Sequence, residues 1–495
     1  MDLLDTLPAR ISDIPRRWAQ RTPHAHALHD GQRHWTYAEL DTAVAQAAEL
    51  LRRWQLRPGD RLAIVGENCV AQVALTFAAA ALDAWIVHIN GRLSGREVDV
   101  VLRHSGARLA IYLPLSMSPE TSAHAARNQA VPMPTPLGTW LVGALNPHCV
   151  PEPVHAASEQ QVAALLYTSG TTGAPKGVML SHRNLLFIAA VSSSLRGLTP
   201  DDRAYGVLPI THVYGLTSVM LGTLYAGACL HLCPRFTPDA LLNALHDERL
   251  TIVQGVPAMY ARLLEKLGGA QRKLPNHLRF AYAGGSPLAP TLKAQVEALL
   301  GVPLHNGYGL TEAAPTVSQT RLDTPRSDSS VGYPIPGVEV RVDNGELWVR
   351  GPNVMRGYYQ EPALTVAVLR DDGWLNTGDM VRQDADGALF IIGRSKELII
   401  RSGFNVYPLE VETVLNAHPA VTQSAVLGRA RADGDEDIIA FVEPDPRHQV
   451  TPAELASYLA DHLAPYKRPS DIILMPALPA AATGKILKSQ LRQMV

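Results

Sequence analysis

The sequence predicts an α/β protein: a large N-terminal domain of parallel α/β sheets with a β-rich subdomain, then a small α+β C-terminal domain. Three observations carry that expectation. Short apolar runs alternate with helical ones between residues 61 and 305. Near residue 330 the pattern changes to short alternating strands with glycine turns, and after GRSKE (393–397) it changes again. Alternation of strand and helix signals argues for parallel sheet covered by helices, because each crossover must pack back onto the sheet.

In order, RLAIV (61–65) reads as a strand, GEN (66–68) as a turn, and the Ala-rich run to Leu82 as a helix. AWIVHI (84–89) is a second strand, SGREVDVVLRHSG (94–106) a helix capped by its serine, and ARLAIYL (107–113) a third strand. The Pro-rich VPMPTPLG (131–138) reads as an irregular connector. AALLYTSG (163–170) restarts the rhythm, and further strands are expected near 204–208, 228–232, 251–254, 279–283 and 302–305. VEVRVDNGELWVRG (338–351) carries the β-rich signal. PLEVETVLNAH (408–418) and TPAELASYLADHL (451–463) read as helices around the strands VTQSAVLG and DIIAFVEP. The expected domains are 1–394 and 395–495.

Composition narrows the function classes. With 46% hydrophobic residues the chain buries a large core, and a net charge of −2 argues against binding nucleic acid by phosphate neutralisation. The most apolar run, VAQVALTFAAAAL (70–82), ends at Asp83 and is too short to span a bilayer. No basic-then-apolar leader opens the chain, so a cytoplasmic location is expected. Four cysteines are too few and too scattered for a disulfide framework. Cys229 and Cys233 flank His231 in ACLHLC; a metal pair is one reading there, but no second ligand pair follows, and buried thiols are the simpler one.

The sharpest local feature is YTSGTTGAPKG (167–177), directly after an apolar strand. It gathers Thr168, Ser169, Thr171 and Thr172 with Gly170, Gly173 and Lys176. Glycines let backbone amides approach a polyanion, hydroxyls donate hydrogen bonds, and lysine adds charge. A polar surface turn is the plainer alternative, but the preceding strand and the helical SHRNLLFIAAV after it favour phosphate binding. The spacing is not that of a Walker P-loop, since Lys176 follows Pro175 and precedes Gly177.

This loop resembles the signature of the adenylate-forming superfamily, on its acyl-CoA synthetase and aryl-CoA ligase branch. NGYGLTE (306–312), GWLNTGD (373–379), GRSKELIIRSGFNVYPLEVE (393–412) and ATGKILKSQL (482–491) resemble the family's later motifs in the same order. The resemblance implies an enzyme that uses ATP and Mg²⁺ to convert a carboxylic acid to its acyl-adenylate with release of pyrophosphate. The acyl group then passes to the thiol of coenzyme A, releasing AMP.

The resemblance also implies roles. Lys485 is the catalytic lysine, bridging carboxylate and α-phosphate, whose like charges about 4 Å apart repel by roughly 4 kcal/mol at an effective dielectric near 20. Glu312 is the Mg²⁺ carboxylate and Thr311 a phosphate-contacting hydroxyl, although Thr-Glu is also a common helix start. Tyr308 packs against adenine, Asp379 accepts from the ribose hydroxyls, and Arg394 holds the ribose–phosphate end. His212, in PITHVYGL, divides the nucleotide and acyl pockets by packing and gating, without acid–base work. Tyr214, Gly284, Gly285, Gly307 and Ala313 are acyl-pocket positions, the adjacent glycines leaving room for a ring or chain. Lys396 marks a hinge about which a mobile C-terminal domain rotates, bringing Gly403 and Phe404 to the thiol's approach.

THVYGLTS (211–218) offers no carboxylate for a substrate ammonium, which disfavours amino acids. No cation stands out in the acyl-side segments, which argues for an aryl or medium- to long-chain fatty acid without a second carboxylate. Because Lys485 lies close to residue 495, with no carrier domain appended, coenzyme A is the expected acceptor. Loading of a carrier-protein phosphopantetheine is the alternative, and a homodimer is left open.

Overall fold

The computed structural model describes residues 3–115, 118–168, 175–269, 273–401, 404–431, 435–481 and 484–495. Among them the chain forms five sheets. The first is centred on Arg61–Gly66, Trp85–Asn90 and Leu109–Leu113, which pair in parallel as the alternating pattern requires. Every residue of Arg61–Gly66 is buried, as expected of a parallel strand covered on both faces. The helix Gly95–Ser105 starts at Ser94, whose side chain accepts from Glu97 N while Glu97 reaches back to Ser94 N. It stops at Gly106, at φ +56°.

The run VPMPTPLG is not an irregular connector. Val131–Thr135 is the outermost strand of this sheet, paired antiparallel with Gly138–Val142. Pro132 and Pro134 lie two residues apart, so their missing N–H groups fall on one side of the strand. On an edge strand that side can face solvent, where no partner is required.

The second sheet holds nine strands, with parallel pairing running from His26–His29 through Cys229–Leu232, Arg203–Gly206, Ile252–Gly255 and Phe280–Ala283 to Leu304–Gly309. The five strands expected between 204 and 305 all fall here. Before residue 61 the chain carries elements with no counterpart in the sequence expectation: helices Asp13–Arg21 and Tyr37–Arg53, and strands His26–His29 and His34–Thr36. The strand His26–His29 exists because Cys229–Leu232, some two hundred residues away, pairs with it.

A four-stranded antiparallel sheet follows. Its first hairpin joins Glu339–Asp343 to Glu346–Arg350 through Asn344 and Gly345, at φ +49° and +82°. Two positive-φ residues form the two-residue turn whose twist matches the flanking strands. The C-terminal part contains the small hairpin Ile399–Arg401 with Phe404–Val406, and a three-stranded sheet flanked by helices Pro408–Asn416 and Pro452–His462. Buried apolar side chains up to Leu389 form two clusters and those from Ile399 onward form two others, so the C-terminal part carries its own core. No helix of the described residues is long and apolar enough to cross a membrane.

Candidate active site

The phosphate-loop motif joins two antiparallel strands, Val162–Thr168 and Lys176–Ser181, with Thr168 opposite Lys176. Ser169, Gly170, Thr171, Thr172 and Gly173 lie outside the described residues. Beyond the loop, Ser181 caps helix His182–Leu195 in a reciprocal box with Asn184. Lys176 Nζ lies 5.0 Å above the ring of Tyr358, which sits on a short strand beside Lys176–Ser181. The Tyr358 hydroxyl donates to Glu312 Oε1 at 2.8 Å. The chain thus brings Lys176 and Glu312 to either side of one phenol. Thr311 is buried beside Glu312 in the single 3₁₀ turn Thr311–Ala313, so the Thr-Glu pair opens no α-helix here.

Asp379 and Arg394 face each other across adjacent antiparallel strands, Leu375–Gln383 and Leu389–Arg394. Arg394 Nε is 2.9 Å from Asp379 Oδ1, and the hydroxyl of Tyr308 donates to Oδ2 at 2.5 Å. Asp379 is almost fully buried, and these two donors make its charge tolerable. The Tyr308 phenol therefore points at the Asp379 carboxylate, a contact that the adenine-packing expectation did not contain. Burial acts to lower the pKa of Arg394, but Asp379, Tyr308, Glu397 and Glu312 around it raise it above its ordinary value.

Lys485 reaches this same cluster. Burial, and then the Arg394 guanidinium, hold its ammonium below the usual lysine range, while Glu397 and Asp379 pull the other way. His212 lies close enough for Lys485 to act on it: burial, and then this charge, push the imidazole down to about 4. Its Nδ1 accepts from Tyr214 N at 3.2 Å, so the ring is neutral and fixed in orientation. Gly484, at φ +80°, makes the close approach possible, since a Cβ there would come within 3.0 Å of Val256. Lys485, Glu312, Asp379, Arg394, Tyr308 and His212, drawn from the long stretch of sequence between His212 and Lys485, thus converge.

Where the acyl pocket is expected, Tyr214 begins a π-helix, Tyr214–Leu221, a wide turn often found at functional sites. Its ring lies on Gly284, where a Cβ would be 3.1 Å from Cε1. The space left by Gly284 is therefore filled by Tyr214 itself and not held open for a ligand. Gly285 turns at φ +78°, Gly307 lies against Ser318 and Gln319, and Ala313 is fully buried.

The segments expected to line the acyl pocket hold no cation, but the fold packs one, Arg196, against the π-helix that Tyr214 begins. Arg196 comes from the end of helix His182–Leu195, is 3% exposed, and donates to Gln254 Oε1 at 2.6 Å and to Ser218 O, on the π-helix, at 3.3 Å. It also reaches Gln319 Oε1 at 3.4 Å and stands 4.6 Å over the ring of Tyr282. Among the described residues no carboxylate pairs with it, and Arg196 Nε, Gln254 Nε2 and Gln319 Nε2 are buried donors with no acceptor. No motif flags this arginine; its burial follows only from the fold.

Comparison with known proteins agrees with this geometry. Residues 15–359 match the AMP-binding enzyme family, and residues 410–485 match the AMP-binding enzyme C-terminal domain. The chain belongs to the AMP-binding enzyme family. Over 495 residues it is 36% identical to a feruloyl-CoA synthase from an Amycolatopsis species, covering 98% of each chain. It superposes on ATP-bound MatB from Rhodopseudomonas palustris with a TM-score of 0.83, at 31% identity and 98% coverage of both chains. It also superposes on the Bacillus subtilis o-succinylbenzoate CoA synthetase in complex with its acyl-adenylate, with a TM-score of 0.81, at 29% identity and 97% coverage of both. The chain is an ATP-dependent acid–thiol ligase on the acyl-CoA synthetase branch of this family.

In this AMP-binding enzyme the C-terminal part is docked with Lys485 facing Arg394, Asp379 and His212. Arg262 and Glu443 approach to 3.7 Å across the contact. Lys396 is exposed in the 3₁₀ turn Ser395–Glu397, which links the two parts. Phe404 is exposed, its ring stacked on Tyr466 at 4.4 Å, and Gly403 lies outside the described residues.

Proposed function

We propose that this acyl-CoA synthetase activates an aryl or arylalkenoic acid bearing an oxygen acceptor at its far end. The observation that carries the reading is the donor cluster of Arg196, Gln254 and Gln319 behind Tyr214. A buried guanidinium without a carboxylate favours a ligand that supplies one, or a phenol oxygen, because an unpaired buried charge is costly. A medium- or long-chain fatty tail offers no acceptor and is disfavoured. The likeness to feruloyl-CoA synthase supports the phenol, and the likeness to o-succinylbenzoate CoA synthetase supports a second carboxylate.

In the first half-reaction Lys485 offsets the repulsion between the acid's carboxylate and the α-phosphate. Arg394 and Asp379 hold the ribose–phosphate end, with Tyr308 fixing Asp379. His212, neutral, separates the nucleotide from the acyl group. Lys176 and the hydroxyls of the loop neighbouring it serve the outer phosphates. Glu312, a half-buried carboxylate with one oxygen fixed by Tyr358, is a suitable hard-oxygen ligand for Mg²⁺, which supplies positive charge to the phosphates. Residues 1–394 and 395–495 form the two domains, a division supported by their separate cores. Rotation about Lys396 then withdraws Lys485 and presents Phe404 and Gly403 to the coenzyme A thiol. The four free thiols, three of them buried, support a cytoplasmic enzyme.

Pyrophosphate release over a panel of hydroxycinnamates, substituted benzoates, aryl dicarboxylates and fatty acids, each with and without coenzyme A, tests this. Oxygen-bearing aryl acids should be turned over fastest and only coenzyme A should drive thioester accumulation. Arg196→Met should lower kcat/KM for them by roughly tenfold or more, as expected for one charged hydrogen bond. Fastest turnover of unsubstituted fatty acids would sink the acid assignment; adenylate accumulation indifferent to coenzyme A would favour a carrier-protein acceptor.

A further inference from the structure

A second cluster of ligating side chains lies outside the nucleotide and acyl sites. His29 ends the strand His26–His29, and its register partner on the neighbouring parallel strand is His231. Register partners on adjacent strands project to the same face of a sheet, so the two imidazoles stand side by side. Glu248 follows the helix Pro238–Asp247 as its C-cap, and Arg249, at φ +51°, then turns the chain towards the strand Ile252–Gly255. That turn sets the Glu248 carboxylate over both rings.

The three atoms form a nearly equilateral triangle. His29 Nδ1 is 3.2 Å from His231 Nδ1 and 3.2 Å from Glu248 Oε2, and His231 Nδ1 is 3.3 Å from the same oxygen. Bonds of about 2.0–2.1 Å from a tetrahedral Zn²⁺ place its ligand atoms about 3.3–3.4 Å apart. Hydrogen bonds alone close at most two edges of such a triangle, because each Nδ1 carries one proton at most. His34 stacks on His29 at 3.8 Å and fixes its plane. The neighbouring Arg203 is engaged with the Glu248 carbonyl at 3.2 Å. Glu248, 31% exposed, leaves a solvent path to the triangle.

We propose that His29, His231 and Glu248 bind one Zn²⁺ ion, with water as fourth ligand, cross-linking the N-terminal strand to the rest of its sheet. Two imidazoles and one carboxylate are borderline donors that suit zinc and not Mg²⁺. Cys229 and Cys233, the thiols nearest in sequence, are not members of the triangle.

Zinc titration of the EDTA-stripped full-length protein against a chromophoric chelator tests the site. One equivalent should bind, Co²⁺ should give the visible absorption of a tetrahedral site, and Mg²⁺ should not compete. His29→Gln with His231→Gln should abolish binding, Glu248→Gln should weaken it by roughly tenfold or more, and His26→Asn on the exposed end of the strand should leave it unchanged. Zinc should raise Tm in the unsubstituted protein and in His26→Asn but not in the double variant, without changing the rate of adenylation. Failure of the unsubstituted protein to bind zinc, or retention of a full equivalent by the double variant, overturns the proposal. If the double variant does not fold, unchanged zinc affinity in Glu248→Gln overturns it equally.

Discussion

Lys485 is held where burial and Arg394 both act against its charge, although its proposed task requires that charge. The sign of the consequence follows. The protonated form is the one that can bridge carboxylate and phosphate, and its population falls as pH rises through a pKa lowered below 10.5. The kcat/KM for acid-dependent pyrophosphate release should therefore decline on the alkaline side earlier than a free lysine would allow. Lys485→Arg should move that limb upward, whereas an unmoved limb would assign it to another group. His212, at about 4, stays neutral through the working range. Its substitution by Gln should leave the profile between about pH 6 and about pH 8 unchanged in shape. An inflection near 6.5 that disappears with His212→Gln would give the imidazole a proton-carrying role.

Between elements, the decisive contact is Lys488. Three residues beyond Lys485, its Nζ lies 2.7 Å from Glu397, in the linking turn, and 2.9 Å from Glu412, on helix Pro408–Asn416. Glu412 also accepts from Val426 N at 2.8 Å, so a single ammonium ties the linking turn, a helix and a strand to the segment that carries Lys485. Lys488→Met leaves two carboxylates facing each other. It should cost about 2 kcal/mol, less than the roughly 3–5 of a fully buried pair because Glu397 is about one-third exposed. Urea denaturation checks the loss, adding Glu412→Gln should recover part of it, and adenylation should slow in the single variant. A Lys488→Met protein as stable and as fast as the unsubstituted one would show that this fork holds nothing in place.

For the whole molecule, the proposed mechanism assigns one docking of the C-terminal part to one half-reaction. Lys485 faces the Asp379–Arg394 pair and Phe404 is exposed, so the arrangement suits acid activation. Lys485→Ala should lower adenylation by roughly 10²–10³-fold, the scale of losing one preorganised charge, while sparing thioester formation from supplied acyl-adenylate. Lys396→Pro, which stiffens φ in the linking turn, should do the reverse. Equal loss of both half-reactions in either variant would overturn the division of labour between the two positions.

The sequence by itself determined what is local or ordered along the chain. The parallel strands around 61–113 and between 203 and 309, the glycine turn at Asn344–Gly345, and the order of five motifs ending in Lys485 all rest on short-range chemistry. Spacing, capping and the apolar content of each run suffice for these. Tertiary structure alone decided what depends on distant chain meeting. A Pro-rich run became an edge strand because Gly138–Val142 offered it a partner. Tyr214 came to fill the space at Gly284, and Arg196 became a buried cation at the acyl side only because three separate strands and a π-helix enclose it. His231 was visible beside two cysteines, yet its ligating neighbours are His29 and Glu248. Strand register sets one of those distances and a helix end sets the others, and neither is written in the local sequence around His231.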